Sequence, residues 1–297
     1  MTGRIVSVVL TLLAVPNVSE GRDTAALDAI GDAFATGARV LDRHADPDHH
    51  RAVYSLAGEP SALSQALVAG AREAVARIDL RHPRGQHPHV GAIDVVPIVY
   101  VTDAQRGAAC AEALVTAELL GGELGLPVFL YGSLAGARTR AEIRRGGVAN
   151  LAARIADGEL TPDFGPRRLH PSAGAVLVCA RPPLVAFNLD LAAPAHLGTA
   201  REIASSIREG GREGLVGVRA IGIELTSRGC VAQVSMNVED PYGVTLAAIV
   251  DAVSHHADVA AAEIVGLTPR AALEGFPAEL EIRGFDPARQ IIENHLD

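Results

Sequence analysis

Apolar residues recur along this chain with two spacings, one typical of buried strands and the other of amphipathic helices. The run IVSVVLTLLAV at 5–15 is continuous and rich in β-branched residues, which predicts a buried strand that ends at Pro16. Residues 23–37 repeat their apolar positions at helical spacing behind a capping Asp23, which predicts a helix. The same reasoning predicts strands at 39–41, 52–57, 93–101 and 126–131, helices at 61–78, 102–120 and 138–156, and loops at 42–50 and 80–91.

The second half of the chain alternates more simply. Strands are predicted at 176–180, 184–189, 218–225, 230–238 and 262–266, and helices at 198–209 and 241–257. From residue 184 this gives β-α-β-β-α-β, the split βαβ order of ferredoxin-like domains. The first half fits the same order with a helix and a strand added. We therefore predict an α+β chain of two ferredoxin-like subdomains, 1–181 and 182–297, which meet near Pro182–Pro183 and hold a ligand groove between them.

Composition narrows the class of protein. The 297 residues carry a formal charge of −9, which argues against nucleic-acid binding through a basic surface. Aromatic residues make up 3% and Trp is absent, so recognition on stacked aromatic platforms is disfavoured. The three cysteines are widely spaced, which excludes a disulfide framework and suits a reducing cytosol. The 5–15 run is too short to span a bilayer and lacks a signal-peptidase site, so we expect a cytoplasmic protein without a membrane partner.

Histidines concentrate in the two polar loops of the first half. Six of the eleven lie there, at positions 44, 49, 50, 82, 87 and 89. His87 stands in GQHPHVGAIDVVP, where Pro88 fixes the backbone after it and Gly91 allows close approach of another segment. Asp94, at the start of the next strand, could orient a histidine. This setting indicates a positioned acid/base at His87, with an ordinary solvated loop histidine as the alternative.

The same loops permit a metal site. Zinc-type ligands are plentiful, and no HExxH or helical His pair organises them. A metal hydrolase is therefore a rival hypothesis, resting on His44, Asp46, Asp48, His49, His50, His87 and His89.

Two further polar stretches are candidates for ligand contact. Asn17, Ser19 and Glu20 lie at a strand-to-helix turn, where they could cap the helix or face a ligand. Arginines cluster at 138, 140, 144 and 145 and again at 167 and 168, and in an acidic chain such clusters are candidate carboxylate binders. A solvated helix face explains the first cluster equally well.

Several motifs together resemble one family, the glutamate formiminotransferases, including the transferase half of the formiminotransferase–cyclodeaminases. The matching stretches are VPNVSEG, RAVYSLAG, GQHPHVGAIDVVP, LPVFLYG, DFGP, HPSAGA, AFNLDL and AQVSMN. They occur in the family's order from Val15 to about Asp240. The chain looks like a monofunctional transferase, since it stops where a cyclodeaminase half would begin.

The resemblance implies a function and a site. Family members transfer the formimino group of N-formimino-L-glutamate to N5 of tetrahydrofolate, bound between two ferredoxin-like subdomains, and they form homodimers. His87 matches the catalytic histidine, and no metal is implied. The folate loop corresponds to Gly165, Pro166, Arg167, Arg168, Leu169, His170, Pro171, Ser172, Ala173 and Gly174. Supporting or substrate-binding roles are expected for Asn17, Ser19, Glu20, Asp42, His44, Arg51, His89 and Asp94.

Two positions depart from the family's pattern. His89 stands where the family's HPRxGA motif has Arg, and His44 stands where the family often has Asp. Both departures touch the active-site loops. They leave open formyl transfer from N-formylglutamate and a folate-binding paralogue without transfer activity.

Overall fold

The first half is built on a seven-stranded sheet. The computed structural model describes residues 10–81, 88–136 and 138–296. The elements of this half, in chain order, are β1 (Leu12–Ala14), β2 (Asn17–Val18), α1 (Thr24–Phe34), β3 (Arg39–Asp46), β4 (Arg51–Gly58), α2 (Ala62–Arg77), β5 (Ile93–Val99), α3 (Arg106–Leu124), β6 (Val128–Leu130), α4 (Arg140–Arg144), α5 (Gly147–Ala156) and β7 (Val176–Arg181).

The sheet combines an antiparallel part with a parallel part. β1 and β2 both lie between β4 and β5, and β3 pairs with the outer side of β4, all antiparallel. β7 then pairs parallel with β5 and with β6. β5 is buried along its whole length, as expected for a strand covered on both faces.

Helices α1, α2 and α3 pack on one face of this sheet, around a core that contains Phe34, Tyr54 and Leu67. The opposite face of the sheet is covered by two different parts of the chain. Over β5, β6 and β7 it is covered by α4 and α5, which bury Ile143 and Leu151. Over β1 and β4 it faces the second half of the chain, so a groove remains between the two coverings.

The second half forms a four-stranded antiparallel sheet in the order β11–β8–β10–β9. Its elements are β8 (Val185–Leu191), α6 (Leu197–Ile207), β9 (Val218–Leu225), β10 (Val231–Val238), α7 (Leu246–Ser254), β11 (Val259–Val265) and a short α8 (Pro287–Gln290). The predicted order β-α-β-β-α-β is therefore observed. Helices α6 and α7 pack on one face of the sheet, against Phe187, Leu189 and Val234. The other face meets the first half through a small apolar cluster that joins Leu13 and Val99 to Leu267 and Ile292.

The α+β class is confirmed, and several predicted boundaries are wrong for local reasons. The strand predicted to end at Pro16 does end before it, as β1, because proline has no N–H for the ladder, and a short strand that was not predicted, β2, follows the proline. The predicted loop at 42–50 is strand as far as Asp46, which pairs with Arg51. The helix predicted at 138–156 is broken at Gly146–Gly147, where φ is +77° and +72°. The helix predicted at 241–257 begins at Leu246, behind the capping Thr245.

Among the described residues, no helix is long and apolar enough to cross a bilayer. The predicted strand start at 5–9 lies outside the described residues.

Candidate functional site

The groove between the two halves is mostly apolar with polar groups on its walls. Its floor comes from β1, β4 and β5, and its far wall comes from the second sheet and the segments that follow β7 and β11. The lining residues are Leu13, Ala14, Val15, Asn17, Val53, Ser55, Leu56, Val99, Arg140, Arg181, Pro183, Leu184, Ala186, Asn237, Val265, Leu267 and Ile292. Such a lining is typical of sites for small organic ligands.

A buried charge cluster lies beside the groove, centred on Asp94 of β5. The Asp94 side chain is fully buried and its Oδ2 accepts from Arg51 Nη1 at 2.8 Å and from Arg144 Nη2. Its Oδ1 accepts from the amide of Val90 at 2.8 Å. Arg51 Nε donates to Asn17 Oδ1 at 2.8 Å, so β2, β4, β5 and α4 converge on one carboxylate.

The protonation states in this cluster follow from its geometry. Burial by itself raises the pKa of the Asp94 carboxyl, but Arg144, Arg51 and the Val90 amide outweigh it and hold that pKa well below its ordinary value of 3.8. Burial lowers the pKa of Arg51 to about 10 despite the attraction of Asp94. Asp94 is therefore ionised and Arg51 protonated at neutral pH.

The predicted folate loop packs directly against the segment that follows His87. Glycine is required at both contact points, because a Cβ on Gly91 would lie 1.8 Å from the carbonyl oxygen of Ala175, and one on Gly174 would lie 2.0 Å from that of Val90. The amide of Ala92 donates to Ala173 O at 2.9 Å, and Ser19 Oγ donates to Gly91 O at 2.7 Å.

Within that loop, residues 170–174 form a tight turn. The His170 and Gly174 backbones exchange hydrogen bonds, and His170 Nδ1 accepts from the amide of Ala173 at 3.0 Å. Arg167 and Arg168 are exposed. The loop is thus fixed at its Gly174 end and presents its charged residues to solvent.

The turn that contains Asn17, Ser19 and Glu20 stabilises the start of α1. Glu20 Oε1 accepts the amides of Gly21, Arg22 and Asp23 at 2.7–3.0 Å, ahead of α1. His50 Nδ1 lies 3.5 Å from the same oxygen. In this turn, Glu20 therefore binds the backbone amides ahead of α1, whereas Asn17 lines the groove.

Polar contacts connect the histidine-rich loop to the second half. Asp48 accepts from Thr226 Oγ1 at 2.9 Å and from the amide and hydroxyl of Ser227. These bonds outweigh burial and lower the pKa of the Asp48 carboxyl. His44 Nε2 lies 3.9 Å from Glu263 Oε1. A carboxylate of the first half therefore bonds to a short 3-10 turn of the second half, Thr226–Arg228.

The candidate metal ligands come together only in part. Among the described residues, His44, Asp46 and Glu263 each offer an atom within 4.8 Å of the others. Glu263 Oε1 also accepts from Arg228 Nη2 at 3.0 Å. The neighbouring His49 has a pKa lowered by burial, so it is neutral at pH 7. The three ligands could hold a divalent ion only next to that guanidinium.

The groove-facing side of the second sheet contains residues that sequence reasoning missed. Asn188, Asp190, Gln233 and Glu263 are buried and joined by side-chain hydrogen bonds, among them Asn188 to Glu263 at 2.9 Å and Gln233 to Asp190 at 2.7 Å. Their signal was available: polar residues alternate with apolar ones in VAFNLDL and VAQVSMNV, although both strands are largely buried.

The remaining predicted residues are placed as follows. His87 lies outside the described residues. His89 is half-buried, and Asp42 lies 3.9 Å from Arg289 Nη2 of α8. The structure thus brings Asn17, Arg51, Asp94 and the Gly165–Gly174 loop to the same end of the first sheet.

Comparisons with known proteins identify the family of the chain. Residues 11–181 match the formiminotransferase domain, N-terminal subdomain, and residues 186–276 match the formiminotransferase domain. The chain is 33% identical to a glutamate formimidoyltransferase of Streptococcus pyogenes, over 95% of this chain and 97% of that protein. A glutamate formimidoyltransferase of Thermoplasma acidophilum is 32% identical over 95% and 96%. The chicken formimidoyltransferase-cyclodeaminase is 35% identical over 87% of this chain and half of its own length. The chain therefore belongs to the formiminotransferase family of group-transfer enzymes.

Proposed function

We propose that this enzyme transfers the formimino group of N-formimino-L-glutamate to N5 of tetrahydrofolate, giving 5-formiminotetrahydrofolate and glutamate. The observation that carries this proposal is the full-length similarity to two glutamate formimidoyltransferases. The apolar groove, with its arginine-bearing wall, suits an aromatic pterin joined to carboxylates.

We infer that the two halves, 1–181 and 182–297, are ferredoxin-like subdomains. In the first half the strands β1/β2, β3, β4 and β5 lie in the spatial order β5–β1–β4–β3, and in the second half the corresponding order is β11–β8–β10–β9. Each half therefore has the order fourth, first, third, second, with helices on one face. This repetition supports the split βαβ assignment for both.

The chemistry requires two proton transfers. The N5 amine attacks the formimino carbon, a tetrahedral centre forms, and the C–N bond to glutamate then breaks. The proton that leaves N5 and the proton that the glutamate nitrogen receives can pass through one imidazole, first as base and then as acid. By resemblance we assign this role to His87, three residues before the Val90 amide that bonds to Asp94.

The Asp94 cluster would hold this loop in place for the reaction. Asp94 binds the Val90 amide and two guanidiniums, and the Gly91–Gly174 contact joins the His87 segment to the proposed folate loop. Burial and ion pairing keep these groups rigid, which is what positioning of an acid/base requires. By analogy with the family we further propose a cytoplasmic homodimer.

Single-turnover transfer tests the proposal. Purified enzyme, formiminoglutamate and tetrahydrofolate are mixed, and a cyclodeaminase converts any 5-formiminotetrahydrofolate to the methenyl product. We expect methenyl product stoichiometric with enzyme. Tight tetrahydrofolate binding without product would instead support a binding protein. Direct detection of 5-formyltetrahydrofolate, formed from N-formylglutamate but not from formiminoglutamate, would identify another donor, and activity abolished by a chelator would indicate a metal hydrolase.

A further inference from the structure

Arginines near the groove differ in whether the protein itself neutralises them. Arg51 and Arg144 both pair with the Asp94 carboxylate. Arg140 and Arg181 also lie at the groove, and both line it directly. Within the described ranges, neither has a carboxylate oxygen within 4 Å. Arg140 and Arg144 begin and end α4, so neighbouring arginines on one helix have different electrostatic surroundings.

Both unneutralised guanidiniums are held in place by other contacts. The Arg140 guanidinium lies 5.8 Å from the centroid of the Tyr131 ring, in cation–π geometry. Arg181 ends β7, and its Nη1 donates to Pro182 O at 2.9 Å. Its Nε is buried and has no hydrogen-bond partner among the described residues. A buried N–H of a cation without an acceptor is costly, so a ligand that accepts from it is favoured.

The local charge around these two residues is positive in a chain whose net charge is −9. Burial lowers the pKa of Arg181, and repulsion from Arg140 adds to that lowering. The groups that attract Arg181 are Cys179, Tyr131 and, more weakly, Glu239, which is itself 3.5 Å from Arg219. An anion bound between Arg140 and Arg181 would remove their mutual repulsion.

We propose that Arg140 and Arg181 form a subsite for the carboxylate of a glutamyl group. This inference rests on the proposed function, because both substrates of that reaction contain glutamate: the donor itself and the tail of tetrahydrofolate. Ser55 and Asn237 line the same groove, and Ser55 Oγ, buried and unpartnered among the described residues, adds a hydroxyl donor. Two guanidiniums and a hydroxyl match the two oxygens of a carboxylate.

A phosphate ligand is disfavoured by the same geometry. Phosphate sites commonly use free backbone amides at a helix start. At the start of α4, Thr139 Oγ1 accepts the amide of Glu142, and Glu142 in turn accepts the amide of Thr139. These capping bonds already use two of the amides at this helix start.

Binding to variants of the full chain tests the subsite. Calorimetry with L-glutamate, tetrahydrofolate and tetrahydropteroate, which lacks the glutamyl tail, is compared for the wild type, Arg140→Gln and Arg181→Gln. We expect at least one glutamyl ligand to bind each variant about tenfold more weakly, the effect of losing a charge-assisted pair. Arg72→Gln is the matched control, because Arg72 is exposed on α2 and pairs with Glu123, and its affinities should equal those of the wild type.

Which ligand loses affinity in the variants shows whether the bound carboxylate belongs to the folate tail or to the donor. If the folate tail binds here, the wild type prefers tetrahydrofolate to tetrahydropteroate and the variants lose that preference. If the donor binds here, glutamate affinity falls and folate affinity is unchanged. Neither arginine has a carboxylate partner in the described chain, so the variants lose only the Tyr131 and Pro182 contacts. Their urea unfolding midpoints should stay close to that of the wild type, whereas loss of a structural ion pair would lower the midpoint clearly.

The results that would overturn the subsite can be distinguished from those that would overturn the proposed function. Wild-type transfer activity together with affinities of Arg140→Gln and Arg181→Gln within twofold of wild type would overturn the subsite alone. Weakened glutamate binding in the variants of an enzyme that does not transfer would support the subsite and contradict the proposed function. Wild-type protein that binds neither glutamate nor tetrahydrofolate would overturn both.

Discussion

At the residue scale, Asp94 determines what the arginines around it can do. From the sequence, Arg51 is a candidate for holding a substrate carboxylate. In the structure its guanidinium is buried between Asp94 and Asn17, while Arg140 and Arg181 have no carboxylate partner in the part of the chain that the structure describes. No periodicity in the sequence distinguishes these arginines, because the distinction depends on which strand ends bring a carboxylate within reach.

The Asp94 cluster gives a pH dependence of stability. Because the folded-state pKa of Asp94 lies below its ordinary value of 3.8, its stabilising contribution is present above about pH 4 and is lost as pH falls further. We expect Asp94→Asn to lower the free energy of unfolding at pH 7 by about 3 kcal/mol, since the buried Arg51 and the half-buried Arg144 lose their carboxylate partner.

Urea unfolding of the wild type and of Asp94→Asn between pH 3 and pH 7 measures this effect. The difference between the two proteins should narrow below about pH 4. Asp79→Asn is a suitable control, since Asp79 lies at the surface and pairs with the exposed Arg81. A difference that stays constant across the range would contradict the assigned role of Asp94.

His87 gives the second prediction at this scale. Replacing a positioned acid/base should reduce the rate of transfer by about 10²–10⁴-fold, so His87→Ala and His87→Asn should both lose kcat and retain folate affinity. Steady-state kinetics with calorimetric folate binding checks this. Near-wild-type turnover in either variant would assign the proton transfers to another group, and His89→Ala is the matched comparison in the same motif.

At the scale of elements, the alternation of polar and apolar residues and the helix-capping residues predict most of the helices and strands. The predicted boundaries are wrong where glycines break a helix or where a strand pairs with a distant segment. The order of the second half is readable because VAFNLDL and VAQVSMNV alternate and Thr245 caps α7. The sequence pattern does not predict which distant segments pair, and β3 continues to Asp46 because it pairs with β4. The pattern also does not predict that α4 and α5 are separate helices, which results from the positive φ of Gly146 and Gly147. The buried polar residues of β8 and β10 depend on a facing half that local sequence cannot specify.

The contact between the His87 segment and the proposed folate loop is testable at Gly174. A Cβ there would meet Val90 O at 2.0 Å in addition to the strain of φ +70°. Gly158→Ala is the matched control, with φ +75° and open space around the Cβ. We expect Gly158→Ala to cost about 1 kcal/mol and Gly174→Ala clearly more, with weaker folate binding.

Chemical unfolding and folate calorimetry on both variants measure this difference. Equal costs for the two substitutions would mean that the Val90–Gly174 contact does not constrain the loop.

Asp48 gives the second prediction for an element, the 3-10 turn Thr226–Arg228. Asp48→Ala removes the acceptor for Thr226 and Ser227, and we expect a loss of about 1–2 kcal/mol in the free energy of unfolding, the usual worth of a capping side chain. Asp48→Asn keeps one carbonyl acceptor and should lose less. Thermal and urea unfolding report the cost, and unchanged stability in Asp48→Ala would show that this contact between the halves contributes nothing.

At the scale of the whole molecule, an acidic chain surrounds a locally cationic groove. The chain carries a net charge of −9, yet four guanidiniums lie close together near the groove. They belong to Arg51, Arg140, Arg144 and Arg181. Because Trp is absent, we expect the pterin of the proposed substrate to lie against aliphatic side chains, Pro, His or peptide planes, and the groove offers Val53, Val99 and Leu267. The apolar cluster between the halves provides that surface as well as joining them.

The proposed reaction requires that a one-carbon group leaves glutamate and becomes bonded to N5 of tetrahydrofolate on this chain. The most direct measurement is to supply formiminoglutamate with ¹³C in its formimino carbon and follow that carbon by NMR in the presence of enzyme and tetrahydrofolate. We expect the ¹³C signal to move to that of a carbon bonded to N5 of the folate, with equimolar release of unlabelled glutamate. Label that stays on glutamate, or that appears as free formate or formamide, would contradict the account.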